Sequence, residues 1–255
     1  MGEIWNGIKQ AFSLIIHFDP YVMRITLFTL YICAVATLVG AVVGVPLGTW
    51  LGLYRFRGRK IFVVLINAGM GLPPVVVGLF VFLFLKRQGP LGFLNWLYTP
   101  KAIFLAEVVL AMPLIAGITL AAMQDTDPKL RWQSLSLGAS PFRSILTLLR
   151  ESRLSLMAAV MAGFGAIISE VGAAMMVGGN LMLGQQPYTR TLTTSTVLAV
   201  NAGDTTLAIA LGIILLTLTV LIIIPLTLIQ QRARGKTSWL RGLKASLWFR
   251  RFEGA

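Results

Sequence analysis

Apolar residues run through this chain almost without a break, and a few short polar stretches divide them into runs. Residues 21–53 form the first run, about 61–85 the second, about 102–123 the third, about 154–177 the fourth and about 205–230 the fifth. Each is long enough to approach or exceed the roughly 20 helical residues that cross a hydrocarbon core about 30 Å thick. The first exceeds it, so that helix must tilt, kink or protrude. The pattern therefore predicts an all-α, polytopic membrane protein with five transmembrane helices. Ahead of the first run, residues 3–17 place Ile4, Trp5, Ile8, Phe12, Ile15 and Ile16 on one helical face. That segment is too short to span and lacks the basic start and cleavage site of a signal peptide. It is expected to lie in the interface as an amphipathic leader over 1–19. The transmembrane part then covers 20–230, and 231–255 forms a basic tail with Trp239, Leu243 and Leu247 on one side, suited to an anionic membrane surface.

Departures from plain hydrophobicity inside the runs mark candidate sites. Gly40, Gly44, Gly48 and Gly52 recur every fourth residue and make a smooth stripe against which another helix can approach closely. In the second run Pro73 and Pro74 remove two backbone donors and should break the helix at membrane depth. Such a break either lines a translocation path or is a simple kink. The third run holds Glu107 and Pro113, and the fourth holds Glu170, which a continuous helix would carry roughly 24 Å beyond Leu154. An ionisable residue in a span is a functional candidate by default. Residues 178–203 form a glycine- and hydroxyl-rich connection in which Arg190 and its threonines offer donors to an oxyanion. The same threonines also suit the cap of a short helix. Glu170 is expected to be protonated or paired, with Arg190 as a possible partner. Asp204 suits the cap of the fifth span.

One stretch is long, polar and basic: Asp127 to Arg153, within a loop of about 125–153. Asp127 and Pro128 suit the start of a helix, Gly138 the left-handed residue that ends it, and Ser140 and Pro141 the start of a second. The result is a compact helix–glycine–helix elbow between spans.

Charge and composition narrow the classes. With 56% hydrophobic and 12% charged residues, and a mean hydropathy of +0.81, no polar stretch remains to build a second soluble domain. The net charge of +13 does not point to nucleic acid, because of where the cations lie. Of 22 Lys and Arg residues, four lie in the turn 55–60, five in the elbow and seven in the tail, against six elsewhere. The positive-inside rule then puts the elbow and C-terminus in the cytoplasm and the N-terminus outside. His17 is the only histidine and Cys33 the only cysteine, so a histidine-based triad, a metal cage or an intrachain disulfide has no material. No GxxxxGK[ST] run is present, so energy for active transport must come from another subunit or an ion gradient.

The elbow resembles the cytoplasmic coupling loop of ABC importer permeases. That pattern is Glu-Ala-Ala, three residues, Gly, nine residues, then Ile-x-Leu-Pro. Gly138 occupies the glycine, while Trp132, Gln133 and Ser134 stand at the first three positions and Leu148, Leu149, Arg150 and Glu151 at the last four. Leu72-Pro73-Pro74-Val75-Val76-Val77-Gly78 is similar to a segment of molybdate and tungstate permeases. Ser169-Glu170-Val171-Gly172-Ala173, Met176-Val177-Gly178-Gly179-Asn180 and Thr189-Arg190-Thr191-Leu192-Thr193-Thr194 resemble tungstate-type permeases in particular. The resemblance covers about residues 20–230. It implies a type I ABC importer permease fold in the cytoplasmic (inner) membrane, working as a homodimer over two ATPase subunits. An external binding protein would deliver the oxyanion, tungstate before molybdate or sulfate, and alternating access would import it. This chain would bind no cofactor, with ATP and Mg used by the ATPase. Gln133, Ser134, Leu137, Gly138, Ala139, Ser140, Pro141 and Phe142 would then couple to the ATPase, and Pro73, Pro74, Glu170 and Arg190 would line the path. A secondary transporter or anion channel without an ATPase is the alternative. Against it stand five spans that divide poorly into halves, and no clear internal repeat.

Overall fold

A computed structural model describes the backbone of residues 2–184 and 186–250 and side chains as far as 231. In order, the helices are α1 (Gly2–Ile16), α2 (Pro20–Leu53), α3 (Arg59–Met70), α4 (Pro74–Leu85), α5 (Pro100–Gln124), α6 (Pro128–Ser136) and α7 (Pro141–Glu151). They continue with α8 (Arg153–Ile168), α9 (Gly172–Gly178), α10 (Leu192–Asn201) and α11 (Thr205–Arg250). A 3₁₀ turn, Gly92–Leu94, precedes α5, and a minimal antiparallel hairpin, β1 (Met182–Leu183) with β2 (Gln186–Pro187), precedes α10. Among the described residues, three stretches are single helices long and apolar enough to span: Pro20–Leu53, Pro100–Gln124 and Thr205–Gln231. Two bent pairs, α3 with α4 and α7 with α8, raise the number to five if each counts as one span.

The centre of the molecule is the pairing of α2 with α5, and the glycine stripe makes it possible. A Cβ at Gly40 would stand 3.2 Å from Ala111 Cβ, at Gly44 3.0 Å from the Met112 carbonyl oxygen, and at Gly52 2.5 Å from Met123 Cβ. At Gly48 it would meet the Ala116 carbonyl oxygen and stand 2.8 Å from Thr119 Cβ. The stripe is a packing surface, because only hydrogen lets two backbones come this close. Around this pair, α8 contributes Ala159, Phe164 and Ile167 to a core shared with Cys33, Ala36, Ala111 and Ile115. A second core joins Ile32, Val77, Val81, Ile103 and Val177 from α2, α4, α5 and α9.

The leader is helical and packs against α11, with Ala11 buried beside Ala210, Leu211 and Ile214. Its small-residue side faces inward: a Cβ at Gly7 would stand 2.5 Å from Ile209 Cγ2. The bulky face of Ile4, Trp5, Phe12, Ile15 and Ile16 stays exposed on this chain. Asp204 caps α11 through Leu207 N at 2.9 Å. That helix runs past residue 230 to Arg250, but the side chains of the basic tail lie outside the described residues.

The fourth span departs from the expected continuous helix over 154–177. α8 stops at Ile168, and the short α9 begins only at Gly172. The hydroxyl-rich connection also holds more order than a loop, because its second half is the ten-residue α10.

Candidate functional site

The elbow forms as its capping residues dictate. Asp127 Oδ1 accepts from Lys129 N at 2.9 Å, and Ser140 Oγ from Arg143 N at 3.4 Å, each with proline opening the helix. Gly138 takes φ +84, the left-handed region expected of it, and no described heavy atom beyond its chain neighbours lies within 4 Å of where its Cβ would be. The two short helices are tied by a 2.5 Å hydrogen bond between Ser134 Oγ and Ser144 Oγ. At the tip, Leu137 is 88% exposed and Phe142 69% exposed, with Trp132 and Gln133 also outward. Apolar side chains so far from the core are a surface in want of a partner. At the root, Arg131 Nη1 donates to the Leu53 carbonyl at 3.3 Å, and Thr126 Oγ1 lies 3.0 Å from Ser152 Oγ.

The second group of candidates sits where two helix breaks meet. α3 and α4 are bent by 109° across Pro73 and Pro74, which are exposed on this chain. The α8–α9 break, at Ser169–Val171, lies against the start of α4. A Cβ at Gly172 would meet Val75 Cγ2, and one at Gly78 would stand 2.6 Å from Ala173 Cα. The structure thus brings Pro73, Pro74 and Glu170 into one region. Glu170 is buried, and its Oε1 accepts from Ala173 N at 2.8 Å. The carboxylate caps α9, where the unpaired amides of a helix start favour an anion.

Arg190 is not its partner. Arg190 Nε donates to Asn180 Oδ1 at 3.1 Å, Nη2 to the Asn180 carbonyl at 3.2 Å, and Nη1 to the Tyr21 hydroxyl at 3.3 Å. The possible Glu170–Arg190 pair is therefore replaced by two separate sets of contacts. They are linked through the threonine run. Thr193 Oγ1 donates to the Glu170 carbonyl at 2.8 Å and lies 2.9 Å from Thr191 Oγ1, while Thr191 and Thr194 form a reciprocal capping box on α10. The capping reading of these threonines is the one the geometry satisfies. Thr29 of α2 accepts from Leu192 N at 2.9 Å and anchors the same turn.

Sequence reasoning missed Tyr21, Asn180 and Thr29. Their contacts reach as far as Tyr21 to Ser195, 174 positions apart, and Tyr21, a polar residue at the head of an apolar run, gave a local hint. Glu107 is 3% exposed on α5, and its Oε2 has no hydrogen-bond partner among the described residues.

The chain as a whole has counterparts among known proteins. Residues 44–235 match the family model for the binding-protein-dependent transport system inner membrane component. The chain belongs to that family. It is the permease component of an ABC importer. Among its relatives, the tungstate uptake system permease protein TupB of Peptoclostridium acidaminophilum is 36% identical over 86% of this chain and 94% of its own. The corresponding protein of Campylobacter jejuni is 31% identical over 84% and 87%. A probable anion ABC transporter permease protein of Haloferax volcanii is 38% identical over 78% and 86%. In fold, the permease is similar to an inward-facing structure of the MetNI methionine ABC transporter, with a TM-score of 0.70 at 20% identity, covering 84% of this chain and 98% of that one. A bacterial alginate ABC transporter follows at 0.67 and 19%, over 83% and 78%. The permease thus has the type I ABC importer fold and is a multi-pass inner-membrane protein. That membership sets aside the carrier or channel working without an ATPase.

Proposed function

We propose that this permease imports a tetrahedral oxyanion, tungstate before molybdate or sulfate, by alternating access. The observation that carries the substrate is the similarity to two tungstate uptake permeases over more than four-fifths of the chain. Arg190 and the surrounding hydroxyls add donors of the right kind, although their present partners are internal. The working unit is a homodimer over two ATPase subunits with an external binding protein. ATP and Mg are bound by the ATPase, and this chain carries no cofactor and does no hydrolysis. The elbow, through Gln133, Ser134 and Leu137 to Phe142, seats in a cleft of the ATPase. Its outward Leu137 and Phe142 support that role. The breaks at Pro73–Pro74 and at Glu170 line the path, because irregular backbone at membrane depth is tolerated where it faces a polar cavity. The asymmetry of basic residues supports an orientation with the elbow and C-terminus in the cytoplasm and the N-terminus outside. The leader and the basic tail, flanking the transmembrane domain, rest on the membrane surface.

A conduit must release what it admits, so it offers donors without tight binding. Discrimination among near-identical anions therefore belongs to the external binding protein. Proteoliposomes holding the permease, its ATPase and a tungstate-binding partner should take up tungstate. Exchange for a molybdate-selective partner able to dock should redirect uptake to molybdate. Uptake that stays restricted to tungstate would place the selection in the permease itself.

A further inference from the structure

A cavity of about 580 Å³ lies between the root of the elbow and the turn joining α2 to α3, and the transport reading makes no use of it. Its lining includes three arginines from three segments: Arg55 from the turn, Arg59 from α3 and Arg131 from α6. Two are held in place by main-chain contacts. Arg59 Nε donates to the Leu51 carbonyl at 2.7 Å. Arg131 donates to the Leu53 carbonyl, and its guanidinium lies 5.0 Å from the centre of the Tyr54 ring. The cavity's one carboxylate, Asp127, already caps α6 through Oδ1. The arginine hydrogen bonds go to carbonyls rather than carboxylates, and three arginines against one aspartate leave an excess of positive charge among the lining residues.

A plainer role exists, since cations favour the carbonyl end of a helix and two of these arginines sit at the end of α2. It accounts for one nitrogen each of Arg59 and Arg131. It does not account for Arg55, for the remaining fork donors, or for a cavity of ligand size between them. Arginines lining one cavity, two of them held by main-chain contacts, suit a phosphate-type oxyanion, which a guanidinium fork can meet with two parallel hydrogen bonds.

We propose that this cavity binds a phosphate-type oxyanion, which ties the elbow to the first span by sharing its oxygens among Arg55, Arg59 and Arg131. The group can arrive on an anionic phospholipid or as a free inorganic anion. Trp50, stacked on Phe56 at 4.5 Å beside the same turn, is an amphipathic ring of the kind that sits at headgroup level.

The test uses the full chain in nanodiscs. One arm compares phosphatidylcholine discs with and without phosphatidylglycerol, and native mass spectrometry counts the phosphatidylglycerol retained on release. The other titrates inorganic phosphate into pure phosphatidylcholine discs by calorimetry. We expect retention or saturable binding in at least one arm. Arg55→Gln, which removes no internal hydrogen bond, should weaken it about tenfold at an unchanged unfolding temperature. Arg55→Lys, which keeps the charge and loses the fork, should fall between and serves as the second variant should Arg55→Gln unfold early. Retained phosphatidylglycerol makes this a lipid site, and phosphate binding alone makes it a site for a soluble anion. No binding in either arm, or binding indifferent to both substitutions, overturns the proposal.

Discussion

Gly138 separates conformational cost from steric cost, because its backbone is left-handed and the space beside it is empty. A side chain there meets nothing, so substitutions should rank by backbone preference alone. Gly138→Asn should be tolerated. Gly138→Val, β-branched and disfavoured at positive φ, should cost about 1–2 kcal/mol and distort the elbow. The expected result in the reconstituted importer is weakened assembly, or ATP hydrolysis that continues without uptake, for Val and not for Asn. Transport and hydrolysis still coupled in the Val variant would remove the elbow from the mechanism. Glu170 supports a similar comparison. Its Oε1 accepts from Ala173 N, a bond that glutamine can keep and alanine cannot. Glu170→Gln should stay folded while uptake falls severalfold. Glu170→Ala should lose about 1 kcal/mol of stability with the cap. Thermal unfolding of the purified variants beside uptake assays separates the two effects. Normal uptake in a poorly folded Gln variant would make the residue merely structural.

Among the helices, the glycine stripe of α2 and Gly212 of α11 form a matched control. Gly48→Ala should destabilise by about 1–3 kcal/mol, because its methyl would press on the backbone of α5 near Ala116 and Leu120. Gly212→Ala on α11 has nothing within 4 Å and should be neutral or slightly stabilising through helix propensity. Unfolding midpoints of the two variants check both. Here the sequence was most informative, since caps, prolines and small-residue spacing act through neighbouring chain. The elbow's boundaries, the left-handed Gly138, the break at Pro73–Pro74 and the packing stripe all follow from such local chemistry. The break at Ser169–Val171 does not, for no proline marks it. Ser169 Oγ turns back on the Gly165 and Ala166 carbonyls, Glu170 caps the next helix, and α9 fits against α4 at Gly78. A helical period over 154–177 cannot reveal a break made by tertiary contact, nor the distant partners that Arg190 finds in Asn180 and Tyr21.

At the scale of the whole molecule, orientation is the first matter for measurement. Sixteen of the 22 basic residues fall in the turn, elbow and tail, so a tag at the C-terminus of intact cells should resist external labelling while one at the N-terminus reacts. A C-terminal tag labelled from outside would invert the molecule and withdraw the elbow from the ATPase. The elbow's attachment then governs what motion it can deliver. α7 meets α8 at 71° with only Ser152 between them. On the proposed coupling role, that joint would make the pair a crank. α7, eleven residues long, gives an arm of about 16 Å, so a push of about 3 Å at the tip turns the shaft through about 10°. A flexible linker at the same place would act as a slipping clutch, absorbing the push before it reached Ile167 and the break beyond it.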